Sequence, residues 1–154
     1  MKIDADDRLA ILDLYARYNQ TIDSADYDKW VACFVPDGVL SVVASGRVVK
    51  GRRDLKLFAR QYVERNEGLE RHVTTNISMV GNGTGVIGRC YLTMYIGAKL
   101  AGGAPRMTTT GRYLDTLVKE AGEWFFLKRE MTSDGEQLPK EQPNLAASDT
   151  VVSA

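Results

Sequence analysis

Residues 70–80 read ERHVTTNISMV, and they hold the single histidine of the chain. Val73, Thr75, Ile77 and Met79 alternate with His72, Thr74, Asn76 and Ser78. A period of two rich in β-branched residues predicts a strand with one apolar face and one face of small polar groups. If the polar row faces water, His72 is an ordinary surface residue. If it faces a cavity, His72 is the natural general base of a site. A register slip of one residue exchanges the two faces, so the flanking sequence has to decide.

Downstream, Asn82-Gly83 signals a hairpin into a second strand over residues 84–96. The GGAP segment at 102–105 marks a looser connection, and residues 107–118 and 123–131 form two more strands across Ala121-Gly122. Upstream, Ile11, Tyr15, Tyr18 and Ile22 recur at three- and four-residue steps, which predicts an amphipathic helix over 8–22. Asp6 and Asp7 suit its positive N-terminal end. Asp23 and Ser24 close it. Residues 26–34 read as a second short helix capped by Asp26, and Pro36-Asp37-Gly38 as a turn. A small hairpin over 39–44 and 48–50 flanks Ser45-Gly46, and a third helix follows over 52–66. Helices first and a long meander after them give an α+β domain, with three N-terminal helices packed on a curved, mostly antiparallel sheet. Residues 1–133 form one domain, and 134–154 are expected to be an unstructured tail.

A length of 154 residues with 44% hydrophobic content suits one well-buried core. Twenty basic side chains balance twenty acidic ones. Without a basic stripe, nucleic acids and anionic membranes are poor partners. Neither a membrane-spanning run nor a secretory signal is expected. Cys33 and Cys90 sit among apolar neighbours and read as reduced core cysteines of a cytoplasmic protein. One histidine and two isolated cysteines give no metal-ligand spacing, so no metal site is expected. No cofactor is expected either, because the glycines at 81, 83, 85 and 88 fall in a hairpin rather than in a nucleotide fingerprint.

Four stretches in this order carry a resemblance: LYARYNQTIDSADYDKWVACFVPDGVL near the start, HVTTN, GRYLD at 111–115 and EWFFLKRE at 123–130. Together they resemble the SnoaL-like polyketide cyclases of the nuclear transport factor two-like superfamily. They are also similar to two lyases of that fold, scytalone dehydratase and hexachlorocyclohexane dehydrochlorinase. The resemblance implies a conical, cystatin-like barrel whose sheet curls around a deep apolar pocket roofed by the helices. His72 would then look inward, and the face bearing Val73, Ile77 and Met79 would pack outward against another subunit. A homo-oligomer, dimer or trimer, is expected from that outward apolar face.

The resemblance also implies chemistry. Asp23 and His72 fall where lyases of this family carry an aspartate and a histidine. An imidazole can take a proton from carbon beside an activating group, and a carboxylate on its other nitrogen fixes the tautomer. Tyr18 sits where some dehydratases present a tyrosine to substrate. Expected substrate-binding residues are Asn76, on the His72 face, and Arg129, which either binds an oxyanion or pairs with Asp115. Tyr95, Trp30, Phe58 and Tyr62 are expected to line the pocket, with Tyr91 and Met94 as further candidates. The second histidine of scytalone dehydratase is missing, so the pattern of one aspartate with one histidine fits better. The expected function is a cofactor-independent lyase of dehydratase type acting on a small apolar aromatic or polycyclic substrate. Two alternatives remain open. One is an assembly role resembling the small subunit of aromatic-ring-hydroxylating dioxygenases, and the other is a non-catalytic binder of a hydrophobic metabolite.

Overall fold

A computed structural model describes residues 2–97 and 103–135. Helix α1 (Ala5–Asp23) starts on Asp4, whose carboxylate accepts the Asp7 amide at 2.8 Å. Its buried stripe of Ile11, Leu14, Tyr15, Tyr18 and Ile22 lies against the sheet. Helix α2 (Tyr27–Val31) is capped by Asp26. It is shorter than the expected 26–34, because Phe34 already belongs to strand β1 (Phe34–Val42). Pro36-Asp37-Gly38 is therefore not a turn between elements. It is the irregular middle of β1, where pairing to the last strand shifts between Phe34 and Val39. Strand β2 (Arg47–Lys50) and helix α3 (Arg52–Arg65) follow, and then strands β3 (Glu70–Asn82), β4 (Gly85–Ile96), β5 (Arg106–Glu120) and β6 (Glu123–Ser133).

The six strands form one sheet in the order β2-β1-β6-β5-β4-β3. Only β1 and β6 run parallel. The helices cover one face, and the core lies between them and inward residues such as Leu92, Tyr113, Leu117 and Phe126. Packing is tight where α1 crosses the sheet. A side chain at Gly88 would collide with the Tyr15 hydroxyl and the Leu117 side chain, so only glycine fits beneath that tyrosine.

One local irregularity decides which residues of β3 face inward. Thr75 pairs with Tyr91 and Ser78 with Arg89, so Asn76 and Ile77 together oppose Cys90. This two-against-one bulge has Asn76 at φ 55°, a left-handed conformation that asparagine tolerates better than most residues. Before the bulge His72 and Thr74 point inward; after it Ile77 and Met79 do. The expected outward face of Val73, Ile77 and Met79 is thus corrected. Val73 is exposed, whereas Met79 is buried and Ile77 packs on the core.

The outer sheet face carries Val73, Val80, Tyr91, Tyr95, Leu114 and Leu127, all exposed. Among the described residues, no helix is long and apolar enough to cross a membrane. The expected tail at 134–154 lies almost wholly outside the described residues, as does Gly102 of the 102–105 connection.

Candidate active site

Asp23 is the last residue of α1, and the helix ends over the start of β3. Its two oxygens are both committed to His72. Oδ1 lies 2.6 Å from Nδ1, and Oδ2 accepts the His72 backbone N–H at 3.0 Å. The side chains are 8% exposed for His72 and 13% for Asp23. An ionised Asp23 is acceptor-only, so the neutral imidazole carries its proton on Nδ1 and keeps the Nε2 lone pair free. A charge-assisted bond of this kind contributes about 1.5–3 kcal/mol.

His72 lines a cavity of about 460 Å³, and Nε2 is the ring nitrogen turned away from Asp23. Tyr18, Trp30, Phe58, Tyr62 and Met94 line it beside His72, with Tyr113 across from the helices. Three of the rings form a ladder: Trp30 stacks on Phe58 at 6.4 Å and Phe58 on Tyr62 at 6.1 Å. Arg47 lies over the Phe58 ring at 4.8 Å, and Arg65 joins it in the cavity wall. The pocket is therefore aromatic within and carries two guanidinium groups.

Three expected substrate-binding residues are elsewhere. Asn76 is exposed at the bulge, because the extra residue turns it off the His72 face. Tyr95 is 41% exposed on the outer sheet face, as is Tyr91 at 59%, since both are out of phase with the inward Leu92 and Met94. Arg129 does not line the cavity. It is fully buried beneath it, with Nε and Nη2 donating to Asp115 at 2.9 and 3.0 Å.

Glu70, Asn66, Tyr113, Arg47 and Arg65 also line the cavity, and none of them was singled out from the sequence. Glu70 was legible, since it precedes His72 by two positions and strand parity puts both on one face. The arginines come from β2 and α3, and no local pattern links them.

Burial raises the phenols of Tyr15, Tyr18, Tyr62 and Tyr113. Tyr18 is pushed up to about 12 by burial, with the Arg129 guanidinium pulling the other way. At neutral pH it is a hydrogen-bond donor. A raised phenol is neutral in the fold but ionises in the unfolded chain near 10, so its stabilisation is complete below that pH and lost above it. Urea titrations are expected to show the unfolding midpoint falling as pH rises from about 10 toward 12. Tyr18→Phe should soften that fall. A midpoint that stays level across the window would show that these phenols titrate alike in both states.

Cys33 and Cys90 are free and buried, and burial raises both thiols, that of Cys90 to about 12. They are poor nucleophiles. Among the described residues no group of three or more His, Cys, Asp or Glu side chains is placed to hold a metal ion.

Residues 4–130 match the model of a family described as SnoaL-like domain. No curated protein matches the chain significantly. Among solved structures, a Nostoc punctiforme protein of unknown function with a cystatin-like fold is 24% identical; the match covers 88% of this chain and 96% of that one, with a TM-score of 0.78. The D26N form of Rv3472 from Mycobacterium tuberculosis, also described as of unknown function, is 28% identical over 87% of this chain and 78% of its own, with a TM-score of 0.72. ActVI-ORFA from Streptomyces coelicolor is 18% identical over 82% and 97%, with a TM-score of 0.72.

Proposed function

Since the chain belongs to the SnoaL-like domain family, we propose that it is a cofactor-independent lyase that removes water from a small aromatic or polycyclic substrate. The observation that carries this reading is the Asp23–His72 contact at 2.6 Å, with the free imidazole nitrogen facing an aromatic cavity. His72 takes a proton from the carbon beside a carbonyl, Asp23 stabilises the imidazolium, and a β-hydroxyl leaves. Tyr18, held protonated, donates to the carbonyl oxygen as negative charge develops there. Trp30, Phe58 and Tyr62 stack against the substrate rings. Aldol cyclisation, or its reverse, would use the same base.

The test is a panel of β-hydroxylated aryl ketones incubated with the purified protein in D2O. Two signals are followed, deuterium entering beside the carbonyl and the enone product. Uptake of neither would point to the hydrophobic-metabolite binder, which ligand-induced quenching of Trp30 would detect. The Asp23–His72 pair favours the enzyme over an assembly subunit, which has no use for a base in a cavity.

We further propose that the outer sheet face is covered by a second copy of the chain. Tyr91 and Leu114 stand on adjacent strands β4 and β5 and are 59% and 43% exposed. Large exposed apolar side chains gathered on one sheet face suit an interface better than water. Tyr91→Glu with Leu114→Glu is expected to convert an oligomeric wild type to monomer in light scattering. A monomeric wild type would refute this.

A further inference from the structure

Elimination needs two proton transfers, one from carbon and one to the leaving oxygen, and His72 supplies only the first. The side of the imidazole away from Asp23 leads to the second. Tyr62 Oη lies 3.4 Å from His72 Nε2 and donates its proton to Glu70 Oε2, which also accepts from Asn66 Nδ2 at 2.8 Å. Because Glu70 claims the one phenolic proton, that proton does not mask the Nε2 lone pair before reaction. Once His72 is protonated, Nε2–H faces an acceptor, the Tyr62 oxygen. Glu70, Tyr62 and His72 all line the cavity.

Resting on the lyase reading, we propose that Glu70 is the acid of the reaction and receives its proton from His72 through Tyr62. The steps balance. His72 Nε2 takes the proton from the carbon beside the carbonyl, and the C–H electron pair enters the enolate. The imidazolium passes its proton to Tyr62 Oη as the phenolic proton moves to Glu70. The enolate pair then forms the C=C bond, the C–O bond breaks, and the hydroxyl leaves as water with the Glu70 proton. His72 is neutral again, Tyr62 is a phenol and Glu70 is a carboxylate.

Two further features suit Tyr62 to relay a proton rather than hold charge. Burial first, and then the Glu70 carboxylate, raise its phenol far above the ordinary range, so it conducts a proton while staying neutral. Its ring is fixed between Phe58 and the imidazole, with centroids at 6.1 and 5.7 Å. Strand parity does the rest. Glu70 and His72, two residues apart ahead of the bulge, both point inward from β3, and Tyr62 reaches down between them from α3.

The probe is β-hydroxypropiophenone in D2O, scored for deuterium uptake and for phenyl vinyl ketone. In Glu70→Gln and in Tyr62→Phe, the ratio of elimination to exchange is expected to fall about 10²-fold. His72→Ala should lose both signals. Glu70→Gln that eliminates at the wild-type rate, or loses exchange in step with elimination, would overturn the assignment. The single histidine offers a readout that needs no turnover. In acidified, 15N-histidine-labelled protein, the Nε2–H signal of wild type is expected to exchange slowly with water, and that of Tyr62→Phe quickly. If no ketone is converted by the wild type, the lyase reading fails. The spectrum then tests the His72–Tyr62 leg of the relay by itself: equal exchange in both proteins overturns it, and slower exchange in the wild type supports it.

Discussion

Asp23→Asn is expected to lower turnover by about 10⁴-fold, as large as the loss in His72→Ala or larger, which should fall in the range of about 10²–10⁴. The reason is the double engagement of Asp23. Its Oδ2 accepts the His72 backbone N–H at 3.0 Å, so the single oxygen of an asparagine is claimed by that amide. The NH2 group must then face Nδ1, now 2.6 Å from Oδ1. Nδ1 becomes an acceptor, the ring proton moves to Nε2, and the lone pair that faces the cavity is lost. The variant keeps its shape and places the wrong tautomer in the site.

The effect belongs in kcat rather than KM, because the aromatic walls that bind substrate are untouched. The measurement is steady-state kinetics on whichever ketone the wild type converts, with urea unfolding as the control for fold. An Asp23→Asn protein with wild-type kcat would show that the aspartate neither orients nor stabilises the base.

The largest effect on stability is expected from Arg129→Met, about 3–5 kcal/mol by denaturant titration. Arg129 and Asp115 are both fully buried. The carboxylate accepts two guanidinium N–H bonds and the Tyr15 hydroxyl at 2.5 Å. The guanidinium also lies within 3.9–4.9 Å of the Tyr113, Tyr18, Phe126 and Tyr15 ring centroids. Burial opposes its charge, but Asp115 and the tyrosines outweigh it and hold its pKa well above the ordinary value. Removing the arginine leaves a carboxylate in an apolar interior with one neutral donor.

The double variant Arg129→Met with Asp115→Leu replaces ions by apolar groups and should recover much of the loss. Such a recovery would identify the stranded charge as the cause. If the single variant loses under about 1 kcal/mol, the pair is solvated more than its burial implies. Tyr18 rests on this guanidinium, so the pair also supports the pocket floor; of the two roles expected of Arg129, the structure shows the Asp115 pairing and not the substrate contact.

Much of this was legible in the chain. Helix and strand periods are set by neighbours two to four residues away, so all three helices and the four long strands could be read directly. So could the α+β order, although the parallel pairing of β1 with β6 could not; the cavity lined by Tyr18, Trp30, Phe58 and Tyr62 was implied by the resemblance. Asp23 came from the resemblance and not from periodicity, because its partner lies 49 residues on. Other readings failed where a local rule was broken by a distant partner. Pro36-Asp37-Gly38 has turn chemistry, yet β6 draws it into β1.

Local periodicity and residue chemistry were enough for the class of fold, the element order and the residues able to carry proton chemistry. Which of them meet depends on how the elements pack. An extra residue at Asn76 flips the faces of β3 midway, removing Asn76 from the site and turning Met79 inward. Strand parity, counted along the chain, is reset wherever two residues oppose one, and that count is fixed by the partner strand. Packing between elements likewise sets Tyr62 of α3 against Glu70 and His72, and buries Arg129 on Asp115 away from the cavity. A site is assembled from the ends of separate elements, and only their packing brings those ends within hydrogen-bond reach.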